Sequence, residues 1–513
     1  MLNFTPLARP LFARYGAATA RIATPADTER VQRGVLAWLL RQGRGTEFGR
    51  SHRFDALAGE RDFAAAVPLT EYEAIRPLVM RMVAGERDVL WPGRCRRFAQ
   101  SSGTSGGKSK YIPVTDASLR RNHYRGGIET VAAYLPHVSH SRLFGGKSLI
   151  LGGSFATELA DVPQGVHVGD LSASLIDRIN PAVNLFRVPS KDIALMADWS
   201  RKLPALAEAA MREDVTNISG VPSWFMTVLR TIMDMAGAST IHEVWPNLEV
   251  FFHGGIAFGP YRSQYEAICD TSKMHFMETY NASEGFFAVQ DDPDVHAMRL
   301  LLDAGIFYEF IPINRLGEPD AATLTAWQVE PGRTYALVIT SCNGLWRYII
   351  GDTVRVVSTS PLRITIAGRT SSFINAFGEE LMVWNADKAL AAACVRTGAA
   401  AANYTAAPVY SACGTKGHHQ WLIEWAVAPQ CGNEAFADIL DAELQAANSD
   451  YQAKRSGNIF LARLELTEAP KGTFNRWLAS TGRLGGQRKI PRLSNDRRVI
   501  DPILRLINKT NKP

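Results

Sequence analysis

No apolar run in this 513-residue chain approaches the roughly 20 residues that a membrane-spanning helix requires, which excludes a transmembrane channel or carrier. Cysteine is scarce and dispersed. The six residues Cys95, Cys269, Cys342, Cys394, Cys413 and Cys431 form no C-x-x-C pair, which excludes a zinc ribbon and a small disulfide scaffold and points to a reducing, cytoplasmic setting. An excess of one charge is missing as well, since 56 Lys and Arg stand against 50 Asp and Glu, a net charge of +6. There is no internal repeat and no low-complexity tract.

Two local excesses remain. Met1 to Ile22 carries Arg9, Arg14 and Arg21 and no acid, as transit peptides do, but it lacks a signal-peptide apolar core and contains Pro6 and Pro10. The C-terminal stretch holds Arg483, Arg488, Lys489, Arg492, Arg497, Arg498, Arg505, Lys509 and Lys512. No nucleic-acid recognition signature accompanies that charge, so a solvated basic face or a cationic lining for an anionic substrate is expected, and nucleic acid is not.

What is present is a chain with 46% hydrophobic and 21% charged residues, the composition of a globular protein with a large core. Its length suits one large domain joined to a smaller one. Thr24-Pro25-Ala26-Asp27 reads as a capping box before a helix with Val31, Val35, Trp38 and Leu39 on one face, ending at Gly43. Thr70 and Glu73 have cap spacing before a helix reaching Gly85. Further helices are expected over 117–134, 193–211 and 223–235. Short apolar runs at 148–151, 248–252, 274–279 and 336–340 read as buried strands. Helices alternating with buried strands predict an α/β fold. From Phe307 the text becomes β-rich with Pro/Gly turns as far as Gly368-Arg369-Thr370, where a boundary is expected. Beyond it, helices over 382–398 and 434–449 and strands over 419–427 and 460–465 predict a separate α+β unit.

The richest segment is Phe98 to Thr115. Ser101, Ser102, Thr104 and Ser105 offer hydroxyl donors, Gly103, Gly106 and Gly107 let backbone amides converge, and Lys108 and Lys110 add charge, a set suited to phosphate. It is not a Walker A loop, because three residues rather than four separate Gly103 from Gly107. The following Tyr111-Ile112-Pro113-Val114 also favours a strand over the helix that such a loop opens. The expected form is strand, turn, strand.

Three further clusters have the same character. Tyr280-Asn281-Ala282-Ser283-Glu284-Gly285 follows an expected strand, and strand ends are where α/β proteins place ligands. There a Tyr face stacks on a base, a Ser meets a phosphate oxygen and a Glu holds a hard cation such as Mg²⁺. Gly351-Asp352, after Asn343 to Tyr348, places a carboxylate at an expected strand end, able to accept both hydroxyls of a ribose. Gly368-Arg369, with Asn375 and Gly378-Glu379-Glu380, offers a cation and a flexible backbone at the domain junction. His418-His419 is not a metal pair, because neighbours on a strand face opposite ways.

In that order, Ser-Ser-Gly-Thr-Ser-Gly-Gly (101–107), Tyr-x-x-Ser-Glu (280–284), Gly-Leu-x-Arg-Tyr-x-x-Gly-Asp (344–352) and Gly-Arg (368–369), the chain resembles the adenylate-forming superfamily of acyl synthetases and luciferases. Within it, the chain is most similar to the Gretchen Hagen acyl acid amido synthetases, the auxin-responsive family. Marks of the resemblance are Thr46 to Arg50, Lys110 to Pro113, Gly220-Val221-Pro222-Ser223-Trp224, Val244 to Leu248, Gly254-Gly255, Gly417 to His419, Gly472-Thr473-Phe474 and Lys489 to Arg492.

The resemblance implies a large N-terminal domain (1–368), built of mixed sheets with helices and a β-rich subdomain, that binds ATP and an acyl acid. It also implies a small mobile α+β C-terminal domain (369–513), ATP and Mg²⁺ as cofactors, and a monomer acting on a small carboxylic acid, auxin-like or other, and an amino acid. Ser101, Ser102, Gly103, Thr104 and Ser105 would cradle phosphates, Gly255 and Tyr280 would bound the adenine, Ser283 would approach the α-phosphate, Glu284 would hold Mg²⁺ and Asp352 the ribose, with Arg369 at the junction. Val221, Trp224 and one of Arg120, Arg121 and Arg125 would receive the acid. Ser371 stands where the superfamily hinge carries Asp, and Glu379-Glu380 where the plant proteins carry Lys, which leaves Lys471 and Lys489 as candidates for the catalytic lysine. The alternatives are an acyl-CoA ligase of the same superfamily and a non-catalytic nucleotide- or nucleic-acid-binding protein.

Overall fold

The computed structural model describes residues 2–101, 109–157, 159–255, 258–318, 321–369, 373–374, 376–377, 379, 381–409, 417–448, 451–452, 455, 461–480, 490–494 and 496–510. Two compact units emerge, Met1–Ile350 with Val354–Thr365, and Gly351–Thr353 with Ile366–Pro513.

The longer helices of the first unit are α1 (Thr5–Ala20), α2 (Pro25–Gly43), α3 (Tyr72–Val83), α4 (Tyr124–Tyr134), α5 (Leu171–Asp177), α6 (Trp199–Met211), α7 (Pro222–Ala236) and α8 (Gly259–Ile268). The expected capping box is present. The Thr24 side chain accepts from the Asp27 amide at 3.2 Å, and the Asp27 carboxylate accepts from the Thr24 amide. Gly43 is the last helical residue, and a Cβ there would lie 2.6 Å from the Trp346 ring, so the glycine makes room for a core indole. Thr70 does not cap α3. It forms a bridge to Tyr348 and donates to the Trp346 carbonyl at 3.0 Å, while Glu71 occupies the cap position. The helix expected over 193–211 is broken, because Asp198 accepts from the Ser200 amide at 2.9 Å and starts α6 afresh. The N-terminal arginine-bearing segment is docked in the fold, with Arg9 donating to the carbonyls of Leu135 at 2.6 Å and Val138 at 2.7 Å.

Strands β1 (Arg97–Ser101), β2 (Lys110–Pro113), β3 (Lys147–Ile150), β4 (His167–Gly169), β5 (Arg187–Val188), β6 (Val215–Gly220), β7 (Val250–Gly254), β8 (His275–Ala282), β9 (Gly285–Val289) and β10 (Met298–Leu300) are followed by β11 (Ile306–Pro312), β12 (Leu324–Thr325), β13 (Thr334–Ser341), β14 (Leu345–Thr359) and β15 (Leu362–Arg369). Twelve of them form one sheet in the order β12-β11-β13-β14-β15-β10-β9-β8-β7-β6-β3-β5. Its β5-β3-β6-β7-β8 half is parallel, and antiparallel pairing begins at β8–β9; within that half β3, β7 and β8 match the expected short apolar runs, while β5 and β6 were not expected. A separate three-stranded sheet has the order β2-β1-β4.

The second unit holds β16 (Phe373–Ile374), β17 (Leu381–Met382), β18 (Ala400–Val409), β19 (His418–Val427) and β20 (Glu465–Ala469), with α9 (Val383–Thr397), α10 (Gly432–Ala447), α11 (Thr473–Ser480) and α12 (Ile500–Thr510). β18 and β19 pair antiparallel, and β20 joins β19 in parallel. The strand expected over 460–465 instead begins at Glu465, and Phe460 lies outside the described residues. His418 and His419 do face opposite ways. His418 reaches Glu465 at 3.1 Å, whereas the fully buried His419 donates from Nε2 to the Glu379 carboxylate at 2.8 Å. Glu379 also accepts from the amides of Ala376 and Phe377, so this acid serves the interior of the unit. Several tail cations are likewise held internally, Arg497 by Asp501 at 2.8 Å, Arg498 by Asp496 at 2.5 Å, and Arg492 over the Tyr404 ring at 4.7 Å.

Candidate active site

The carboxyl ends of β6, β7 and β8 lie side by side, with Gly220 registered on His253 and Gly254 on Thr279. Such an edge is the general ligand-binding place of a parallel sheet. The chain leaves β7 through two glycines for two distinct reasons. A Cβ on Gly254 would sit 2.4 Å from the Thr279 carbonyl oxygen, and Gly255 has φ +80°. A Cβ on Gly255 would come within 3.3 Å of Val221, so Gly255 and Val221 are brought together as expected for neighbours in one site. Gly254→Ala should destabilise the first unit by roughly 1–3 kcal/mol, read from urea unfolding, because the added methyl must push β7 and β8 apart. Val221 precedes Pro222, the first residue of α7, and Trp224 on α7 packs edge-on against Trp199 at 5.0 Å.

β8 continues past the expected end at Thr279 and turns at Ser283-Glu284 directly into β9, with Ala282 opposite Gly285. Tyr280 is therefore a strand residue, buried with its ring 4.8 Å from Phe287, and a register shift after it re-aims the residues that follow. Ser283 and Glu284 occupy the hairpin turn and are themselves 9% and 7% exposed.

The residue that holds this turn escaped sequence reasoning. Asn122, fully buried, accepts from the Phe286 amide at 2.6 Å and donates to the carbonyls of Phe286 at 2.9 Å and Ala304 at 3.0 Å. It sits in a π-helical turn, Leu119–His123, inside what reads as one helix. An Asn in a helix interior, a poor helix former, was the available signal.

The arginines near that turn divide. Arg125 is engaged by the Asp303 carboxylate, by the Asp303 carbonyl at 2.8 Å and by Glu129 at 3.6 Å. The exposed Arg121 lies over Trp38 at 4.3 Å. Arg120 is exposed and makes no ion pair among the described residues.

Strand, turn, strand is the form at the phosphate loop: β1 and β2 pair antiparallel with Ser101 opposite Lys110, while Ser102, Gly103, Thr104 and Ser105 lie outside the described residues. The loop end of that hairpin is tied by Gln100, which donates to Ser109 at 3.3 Å and accepts from Thr157 at 2.8 Å. Asp352 is not at a strand end. It follows Gly351, φ +88°, in mid-β14, where the left-handed glycine kinks a strand that runs on to Thr359. Arg369 ends β15, and its side chain lies outside the described residues, as does Lys489. Lys471 is exposed two residues before α11, and the amides of Gly472, just ahead of the helix, and Phe474, within it, donate to Glu424 at 2.7 and 3.2 Å.

Two titratable groups flank the strand ends. His253 and Glu278 are register partners on β7 and β8 and share a face of the sheet. Burial, with the charge of Arg262, pulls His253 down to about 3, and burial pushes Glu278 up to about 7 against the opposing charge of Arg262. A carboxyl raised in the folded state favours folding fully below its unfolded value of about 4.3, and that contribution falls as pH rises towards about 7. Glu278→Gln should therefore raise Tm more at pH 8 than at pH 5, and an equal change at both would contradict the assignment.

The same fold is found in solved structures. A 2-hydroxyisobutyryl-CoA ligase in the postadenylation state with 2-HIB-AMP aligns at TM-score 0.61 with 12% identity over 95% of this chain and 94% of that one. A second solved structure, the GH3.15 acyl acid amido synthetase (AtGH3.15) in complex with 2,4-DB, aligns at TM-score 0.77 with 18% identity over 98% of this chain and 97% of the other.

The chain belongs to the GH3 family. Residues 23–274 match the GH3 family N-terminal domain, 299–369 the central domain and 384–498 the C-terminal domain. Among its relatives, the indole-3-acetic acid-amido synthetase GH3.8 of Oryza sativa subsp. indica is 23% identical, spanning 91% of this chain and 88% of its own length. The indole-3-acetic acid-amido synthetase GH3.4 of Arabidopsis thaliana is 22% identical over 94% of this chain and 91% of its own length.

Proposed function

We propose that the chain is an ATP-dependent acyl acid amido synthetase. A carboxylate oxygen of a small acid attacks the α-phosphorus of ATP and the bond to pyrophosphate breaks. The amine of an amino acid then attacks the acyl carbon, AMP leaves, and the amine loses a proton. The observation that carries the reading is a GH3-family chain in which β8, which turns at Ser283-Glu284 into β9, runs in register beside β7, whose end carries Gly254 and Gly255.

In this scheme Ser101 to Ser105 cradle phosphates, Gly255 and Tyr280 bound the adenine, Ser283 approaches the α-phosphate, Asp352 takes the ribose, and Val221 and Trp224 line the acid's pocket. Arg120 is the arginine of its group best suited to meet the acid's carboxylate, since Arg121 and Arg125 have partners of their own. Lys471 and Lys489 are the candidates for the catalytic cation, and Arg369 for the domain junction. A single buried carboxylate suits Mg²⁺, which is commonly held by one or two carboxylates together with substrate phosphates and water. Among the described residues no group of three or more potential ligands forms a dedicated metal cage. Glu284 would hold the ion, which would neutralise phosphate charge. The protein's own task is to position reactants and stabilise developing charge.

The test is mass spectrometry of products from the purified protein with ATP and a matrix of carboxylic acids and amino acids, with CoA in parallel. An amide and AMP are expected. AMP release that requires CoA, with no amide, would replace this reading by an acyl-CoA ligase.

A further inference from the structure

At the amino-terminal end of β1, a cleft of about 410 Å³ is lined by Trp91 to Arg97, by Val114 to Ala117 at the far end of β2, and by Arg178 just past α5. That volume suits a small molecule. Its lining holds Arg94, Arg96, Arg97 and Arg178 against one carboxylate, Asp116. Asp177 touches Arg97 at 3.5 Å but is itself neutralised by Lys191 at 2.5 Å. The exposed Arg94, Arg96 and Arg178 make no ion pair among the described residues. The Nε of Arg97 is shielded from water and has no hydrogen-bond partner among them. A shielded donor without an acceptor costs folding free energy.

The cleft is separate from the phosphate loop. β1 runs from Arg97 at the cleft to Ser101 at the loop, four steps of about 3.3 Å, or roughly 13 Å. Four guanidinium-bearing residues against one lining carboxylate leave an excess of positive charge that an anion of several charges would offset. Guanidinium forks match phosphate oxygens two at a time, and four of them suit a chain of linked phosphates better than a single carboxylate.

We propose that this cleft is a second anion site, binding an oligophosphate, either inorganic or the phosphate chain of an organic ester. The Arg97 and Val114 backbones are joined by a 2.8 Å hydrogen bond, so the occupant would sit against the foot of the hairpin whose other end carries the phosphate loop.

The test is calorimetric titration of the full chain with inorganic tripolyphosphate, ADP and a tetraglutamate peptide. Tripolyphosphate should bind the wild type, and Arg94→Gln/Arg178→Gln should weaken that binding about tenfold or more, with Arg96→Gln as a milder second variant. Thermal unfolding and ATP-dependent AMP formation should be unchanged in both, since none of these arginines belongs to the proposed active site. ADP binding that is weakened in the same way would identify an organic ester as an admissible occupant. Binding that is identical in wild type and variants, wild-type binding absent up to about 1 mM, or tetraglutamate bound as tightly as tripolyphosphate would overturn the proposal. The titration reads binding alone, so absence of AMP formation in the wild type would count against the amido synthetase reading and leave this one standing.

Discussion

Glu284→Gln is expected to lower acid-dependent AMP formation by about 10²–10³-fold, the cost typical of removing one preorganised electrostatic group from an active site. The substitution keeps the shape and hydrogen-bonding reach of the side chain and removes only its charge, so the β8–β9 turn, anchored separately by Asn122, should persist. Pyrophosphate release and thermal unfolding, measured on the same preparation, separate the two effects. Wild-type turnover in the Gln variant would remove Glu284 from the reaction, whereas loss of turnover together with a large drop in Tm would make it a structural acid. Additional Mg²⁺ should restore part of the rate if the lost charge served to hold the ion.

The largest effect on stability is expected at Arg347, a residue of the Gly-Leu-x-Arg-Tyr signature. Its side chain is buried, and its Nε donates to both Glu309 oxygens at 3.1 Å. Further bonds run to the carbonyls of Ala64 at 2.9 Å and Val67 at 2.8 Å and to the Thr323 hydroxyl at 2.9 Å. Arg347→Met would leave Glu309 charged in an interior position and should cost about 3–5 kcal/mol in urea unfolding of the first unit. The double variant Arg347→Met/Glu309→Gln should recover a substantial part of that loss, because it removes the orphaned charge. A single variant that loses less than about 1 kcal/mol would show that the pair is not the anchor its geometry describes.

Arg347 also shows where the sequence was legible and where it was not. Strands β3, β7 and β8 could be read because a parallel strand covered on both faces shows as a short apolar run, whereas β6, Val-Thr-Asn-Ile-Ser-Gly, carries no such run and was not expected. The capping box at Thr24 could be read because its chemistry is local. The motif containing Arg347 was visible as a pattern, but its partner Glu309 lies 38 residues away on β11, and no local rule connects them. Thr70 misled for the same reason, since its hydroxyl found the Trp346 carbonyl 276 residues away instead of the adjacent helix end. Of the candidate site, the strand-end cluster from Tyr280 to Gly285 was accessible from residue type, and the glycine pair only through the family resemblance. The exact end of β8, the mid-strand setting of Asp352 and the engagement of Arg125 by Asp303 were not, because each depends on what an adjacent segment supplies.

The π-helical turn at Leu119–His123 gives the chain one residue more than an α-turn would hold, with the Tyr124 amide reaching back to the Leu119 carbonyl. In genetic terms it is equivalent to one extra codon in an otherwise regular helix. Deleting one codon there would let the helix rewind without a break, yet every residue on its amino-terminal side would turn by about 100° relative to α4. Asn122 would then face away from β9, and Arg120 and Arg121 would sweep to a new side of the helix. Alignments of relatives that place a one-residue gap within this turn would thus mark a change in the support of the β8–β9 hairpin, even where every strand-end motif is retained.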